Sequence, residues 1–288
     1  MARFQFAGRS LSLAEPQVMG ILNLTTDSFS DGGELLEAGR PVLDKILARA
    51  ATMVADGASI LDLGGESTRP GAEPVSSGQE LDRVLPVLEA LASRFDVVLS
   101  LDTSNPALIT EGAARGAGLV NDVRALTLPG ALEAAVSSGL PVCLMHMQGQ
   151  PRTMQQAPYY ADVAAEVLQY LDQRAAACIT AGIKAGHILL DPGFGFGKTI
   201  EHNLELLRQL EVFRTLPYPL LVGVSRKRML GEITGKTEKD RVAAGIGAAV
   251  IAVMRGAWII RTHDVGVTVD ALKVCGRVLD RACGPMME

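Results

Sequence analysis

The sequence predicts an α/β fold, a (β/α)8 barrel of the TIM type that carries a short N-terminal β-hairpin. Three observations carry that reading. Eight short apolar runs recur along the 288 residues, most of them continuous rather than alternating, as parallel strands covered on both faces require. A turn and then a helical pattern follow each run. Eight such units in a chain of this length point to a closed barrel, although alternation alone is also compatible with an open doubly wound sheet.

The elements read in order as follows. Residues 3–6 and 9–12 can pair across Gly8, and in a barrel that hairpin would plug the N-terminal end. The eight runs are VMGILNL (18–24), SILDLG (59–64), VVLSLD (97–102), GLVND (118–122), LPVCLMHM (140–147), HILLDPG (187–193), PLLVGVS (219–225) and AWIIRTHD (257–264). Helical stretches between them include PVLDKILARAATMVADG, QELDRVLPVLEALASRF, YADVAAEVLQYLDQRAAACITAG and KDRVAAGIGAAVIAVMRG. Several stretches close on glycine, a common helix stop. No linker or low-complexity tract interrupts the alternation, so residues 1–288 read as a single domain. Two connections, 25–39 and 65–78, are long and rich in Gly, Ser, Thr and Pro. In a barrel they would lie on the catalytic face as lids. The late segments AAVIAVMRG and VDALKVCGRVLD fit core helices or a dimer face.

Composition excludes several classes. A net charge of −5 with 20% charged residues leaves no global basic surface, so nucleic acid is not an expected partner. No apolar run reaches the roughly 18 residues of a membrane span, and the first residues lack the apolar core of a secretory signal. Cys143, Cys178, Cys275 and Cys283 form no C-x-x-C pair and read as reduced thiols of a cytoplasmic protein.

The polar residues that end the apolar runs carry the functional signal. Asn23, Asp102, His146 and Asp191 end four runs, Asn121 and Asp122 end a fifth, and Asp62 sits inside another. Ser225, Arg226, Lys227 and Arg228 follow the seventh, while Arg261 and His263 end the eighth. Any one of them is equally well a helix cap or a satisfied core group. As a set, converging on one barrel mouth, they make a site for a polar small molecule. Asp102, Asn121 and Asp191 suit a flat heterocycle with adjacent N–H donors, and Lys227 can donate to its ring carbonyl or nitrogen. Arg69, Arg261, His263 and Asn23 suit an anion such as pyrophosphate. Asn23 with nearby carboxylates could supply oxygens to Mg2+. The segment DPGFGFGKT (191–199) lacks Walker spacing; its alternating glycines suit close packing of backbone against a flat ligand.

Taken in order, MGILNLTTDSFSDGG, LDLGGESTRPGA, LDTSNP, NDV, MHMQGQPRTMQ, DPGFGFGKT, GVSRKRML and RTHDV closely resemble the signature blocks of the dihydropteroate synthase family, from about residue 18 to 264. The resemblance implies a (β/α)8 barrel that joins 6-hydroxymethyl-7,8-dihydropterin pyrophosphate to 4-aminobenzoate. It also implies Mg2+, a homodimer, a cytoplasmic location and competition by sulfonamides. By matching position, Asp62, Asp102, Asn121, Met145, Asp191 and Lys227 are the implied pterin set, with Asp62 either a contact or a buttress of Arg261. Asn23, Arg261 and His263 are the implied pyrophosphate and metal group, with Asp27 and Asp31 helping from the first loop. Phe29, Ser67, Thr68, Arg69, Pro70, Phe196 and Ser225 are the implied aminobenzoate residues. Asp102, Lys227, Arg261 and His263 would carry the chemistry, a displacement at the pterin methylene in which the leaving-group bond breaks early. Three positions depart from the commonest family form: Thr26, Asn105 and Thr262. None removes a proposed catalytic group. Two other readings remain open here. One is a methyltransferase between methyltetrahydrofolate and a corrinoid; the other is a catalytically silent pterin-binding paralogue.

Overall fold

Eight parallel strands close into a barrel in the computed structural model, which describes residues 3–25, 35–37, 40–67, 75–151 and 153–279. The chain opens with an antiparallel hairpin, β1 (Arg3–Phe6) and β2 (Arg9–Ser12), as the sequence predicts. The first barrel strand is β3 (Gln17–Asn23). Two short strands, β4 (Leu36–Glu37) and β5 (Arg40–Pro41), pair as a second small hairpin before α1 (Leu43–Ala55). There follow β6 (Ile60–Gly64), α2 (Ser77–Ala92), β7 (Val98–Asp102), α3 (Pro106–Ala113), β8 (Leu119–Asp122), α4 (Ala131–Ser138), β9 (Val142–Met145) and α5 (Val163–Ala181). The last units are β10 (Ile188–Asp191), α6 (Ile200–Arg208), β11 (Leu220–Val222), α7 (Arg228–Thr234), α8 (Val242–Met254), β12 (Ala257–Thr262) and α9 (Val265–Val278). Pairing of β12 with β3 closes the ring.

Local chemistry sets the helix starts. Ser76 and Gln79 form a reciprocal capping box on α2, and Asp162 accepts the Ala164 and Ala165 amides at the start of α5. Asn105 caps α3, and Pro106 stands at its first position, where no amide donor is needed. The departure at Asn105 therefore serves the helix start. The departing Thr262 is buried, and its hydroxyl lies 3.2 Å from that of Thr268 in α9.

Period two divides each barrel strand between two faces. Outward residues such as Leu61, Leu101, Val120, Leu144 and Leu190 join the helices in one large core. Inward residues at the strand starts (Met19, Ile60, Val98, Leu119, Cys143, Leu189, Leu221 and Ile259) form a separate core inside the barrel. Phe4, Phe6 and Leu13 close that inner core from below. Trp258 joins them, with ring centroids 5.7 Å from Phe4 and 6.5 Å from Phe6, and its indole N–H reaches the Ser12 and Glu15 carbonyls at 3.1 and 3.0 Å. The hairpin is thus the predicted plug. No helix of the described residues is long and apolar enough to cross a membrane.

Candidate active site

Above the inward apolar side chains most strands turn polar, two residues on at Asp62, Asn121, Asp191 and Arg261 and four residues on at Asn23 and Asp102. Asn23, Asp102, Asn121, Met145, Asp191, Arg261 and His263 line one cavity of about 750 Å3 at the C-terminal mouth, joined by Ser225 and Lys227 from the loop after β11. The β11 ladder shifts register between Leu220 and Leu221, and the strand ends at Val222 rather than 225. Gly223 then faces Arg261, whose Cβ would lie 3.8 Å from an added methyl.

Arg261 organises the floor. Its Nε donates to Asp62 Oδ2 at 2.6 Å and its Nη2 to Asp102 Oδ2 at 2.7 Å. Asp62 is fully buried beneath the wall and also accepts from Asn121 Nδ2 at 3.2 Å. Of the two roles open to it, buttressing Arg261 is the one this geometry shows. Burial raises the Asp102 carboxyl to about 7, against the pull of Arg261, with Asp62 adding to the rise. Burial likewise raises Asp191 to about 6, opposed by the Gly193 amide that its Oδ1 accepts at 2.7 Å. Burial alone would lower Arg261, but Asp62 and Asp102 hold it above its ordinary value. The result is a pocket of carboxylates and an amide beside a fixed cation.

The other end carries His263, whose Nδ1 lies 3.2 Å from Ser225 Oγ. Lys227 Nζ sits 4.3 Å from the centre of the Phe196 ring, a cation–π contact on the cavity wall. Ser67 and Glu66 also line the wall. Phe29, Thr68, Arg69 and Pro70, with Asp27, Asp31 and Thr26, lie outside the described residues.

Two predicted mouth residues point elsewhere, for the reason that sorts the rest. Met145 and Asn121 face inward, so His146 and Asp122 face the helices. His146 packs edge-on against Tyr170 at 4.9 Å, and its Nδ1 meets Lys198 Nζ at 2.9 Å. Burial, then the Lys198 charge, lowers His146 to about 2, so the ring is neutral. Asp122 accepts the Arg124 and Leu126 amides, both at 2.8 Å, and the Ser104 hydroxyl. It thereby holds a turn in which Ala125 and Leu126 are left-handed at φ 50° and 59°, conformations that disfavour side chains by about 1–2 kcal/mol each.

The glycine-rich loop also departs from its expected use. Gly193 has φ 70°, and a methyl there would collide with the His146 carbonyl; one at Gly197 would strike the Gln148 carbonyl. These glycines let the loop pack against the chain's own 146–148 segment rather than against a ligand. Only Gly195 faces the site, with Lys227 Cδ placed 3.2 Å from an added methyl. Lys198 ties the loop from beneath, donating to the Gly193 and Phe196 carbonyls at 2.9 and 3.2 Å. Burial lowers Lys198 to about 7, with Asp191 opposing. Two further features were not read from the sequence. Arg124 grips Glu66 bidentately at 2.9 and 3.0 Å beside the cavity, and Arg226 grips Asp264. Each joins residues from different β–α units, so no local spacing announces it.

Residues 19–263 match the family described as pterin binding enzyme. The chain is 54% identical over 267 residues to the dihydropteroate synthase of Escherichia coli K12, covering 93% of each. A Yersinia pestis dihydropteroate synthase solved with a sulfonamide drug complex is 51% identical with a TM-score of 0.93, over 97% of this chain and 99% of that one. A Xanthomonas albilineans dihydropteroate synthase solved with 4-aminobenzoic acid is 46% identical with a TM-score of 0.88, over 96% and 98%.

Proposed function

The chain belongs to the pterin binding enzyme family, among the dihydropteroate synthases, and from that premise we infer that it condenses 6-hydroxymethyl-7,8-dihydropterin pyrophosphate with 4-aminobenzoate, giving 7,8-dihydropteroate and pyrophosphate. The observation that carries the reading is one cavity with two chemically opposite ends. Asp102, Asn121 and Asp191 offer acceptors for the donor edge of a pterin, and Met145 offers an apolar face. Asn23, Arg261 and His263 offer donors to pyrophosphate.

In this reading the pterin methylene lies between the ends. As the carbon–oxygen bond breaks, Arg261 and His263 stabilise charge growing on the leaving oxygen, while Asp102 stabilises the positive pterin. Lys227 donates to the pterin and packs on Phe196, which with Ser225 and Ser67 shapes the aminobenzoate side. The arylamine is neutral near pH 7, so attack needs no strong general base.

Among the described residues no group of three or more His, Cys, Asp or Glu side chains could hold a metal. The Asn23 amide and the Thr25 hydroxyl on the cavity wall offer neutral oxygens instead. That donor set fits a hard cation that enters with pyrophosphate and keeps several waters. We therefore propose Mg2+ with Asn23 as a ligand; when bound it supplies charge neutralisation to the leaving group.

A homodimer and a cytoplasmic setting complete the proposal. Met254, Val274 and Val278 are 51%, 66% and 77% exposed on α8 and α9, an apolar face suited to a second copy. Cys143 and Cys178 are buried and form no disulfide, as a reducing compartment permits. The deciding experiment follows pyrophosphate release with pterin pyrophosphate, 4-aminobenzoate and Mg2+ present together and each omitted in turn. Release only with all three, competed by a sulfonamide against aminobenzoate, is expected. No release from folded protein would refute the activity.

A further inference from the structure

The turn after β11 is held in a manner that the reaction as described does not use. Arg226 is left-handed at φ 56°, an unfavourable conformation for a residue with a side chain. It stands between Ser225 and Lys227, and all three line the cavity. Its guanidinium crosses to the loop after β12 and grips Asp264, with Nη2 2.6 Å from Oδ1 and Nε 3.1 Å from Oδ2. Both side chains are largely buried. Asp264 directly follows His263, whose backbone N–H donates to Ser225 Oγ at 3.3 Å. From the other side, Arg241 donates to the Arg226 carbonyl at 3.1 Å. Arg241 reaches that carbonyl across Gly231, where any side chain would collide with its guanidinium. Residue 226 is therefore fixed through both its side chain and its carbonyl.

We propose that Arg226 and Asp264 are positioning residues, whose ion pair locks the left-handed turn after β11 and so sets Ser225 and Lys227 in register with His263. Glycine would take this turn without strain, so the backbone gives no reason for arginine. A largely buried ion pair is also weak evidence for stability, since desolvation offsets its attraction. What the pair does supply is a planar, two-point link between the loop carrying Lys227 and the loop carrying His263. The inference rests on the reading that those residues serve the pterin and pyrophosphate ends.

The test compares Arg226→Gly, Arg226→Lys, Asp264→Asn and the Arg226→Gly/Asp264→Asn double variant, measuring kcat, KM for both substrates and urea midpoints. Arg226→Gly and Asp264→Asn are each expected to lower kcat/KM about 10- to 100-fold, the scale of a roughly 1 Å misplacement. The double variant is expected to be no worse than either. Arg226→Lys, which keeps the charge but not the fork, should fall between Arg226→Gly and the wild type. Added guanidinium ion should restore part of the Arg226→Gly activity and none of the activity of Lys227→Met. Wild-type kinetics in Arg226→Gly or Arg226→Lys, or additive losses in the double variant, would overturn the proposal. So would losses that only track the fraction unfolded. Wild-type protein without turnover would instead overturn the synthase reading.

Discussion

Replacing Asp102 by asparagine separates what this carboxylate costs the fold from what it gives the reaction. Burial raises its carboxyl from 3.8 to about 7. At about 1.4 kcal/mol per pH unit, that displacement corresponds to an upper bound of roughly 4 kcal/mol. The folded state holds the proton more tightly than the unfolded chain does. The stability it contributes is therefore complete below about pH 4 and is lost as pH rises through about 7. Asparagine is neutral throughout, so it escapes this loss. It also weakens the 2.7 Å contact from Arg261 Nη2, a charged hydrogen bond contributing about 1.5–3 kcal/mol, while Arg261 keeps Asp62. At pH 8 the variant should thus match the wild type or exceed it by about 1–2 kcal/mol. Its relative stability should climb between pH 4 and 7. Turnover should fall about 100- to 1000-fold, because the charge opposite the pterin cation is gone. Urea unfolding of both proteins across that pH range, with steady-state rates at pH 8, makes the comparison. A stability difference that ignores pH would refute the desolvation argument, and near-wild-type turnover would refute the electrostatic role.

Three other changes probe separate parts of the molecule. Trp258→Ala should cost about 3–5 kcal/mol of stability by emptying the barrel plug, yet leave kcat/KM at 25 °C unchanged; differential scanning calorimetry and rates check both halves. Gly193→Ala should nearly abolish turnover while far-ultraviolet circular dichroism stays native, since the added methyl strikes the His146 carbonyl of the neighbouring loop and disturbs the mouth alone. Arg261→Met should lower stability at pH 8 by about 3–5 kcal/mol, because the fully buried Asp62 loses its cation. Pyrophosphate should then no longer raise the melting temperature, which thermal shift measurements read directly.

Much of this was legible in the residues themselves. Seven of the eight barrel strands fall inside the apolar runs and β3 starts one residue before its run, at Gln17, while the plug hairpin falls where Gly8 suggested. The mouth was legible wherever a polar residue shares the inward parity of its strand, as Asn121 and Asp191 do above Leu119 and Leu189. His146 and Asp122 were placed there because each ends an apolar run; counting by twos would have turned them outward. β11 ended early because a register shift is a property of two strands, not one. The contacts made by Lys198, Arg124 and Arg226 were missed for a related reason. Their partners are Gly193 and His146, Glu66, and Asp264, and for all but Gly193 they are reached only once the barrel closes. Gly193, five residues away, was close enough in sequence to be suspected.

The plug has a temporal side. Ser12 and Trp258 meet across 246 residues of chain, so the hairpin gains its tryptophan cover only when almost the whole barrel has been made. At roughly 5–20 residues per second on a ribosome, Phe4 and Phe6 wait about 12–50 s for the tryptophan that covers them. For that interval the hairpin is an exposed aromatic peptide, open to capture by chaperones or by neighbouring nascent chains.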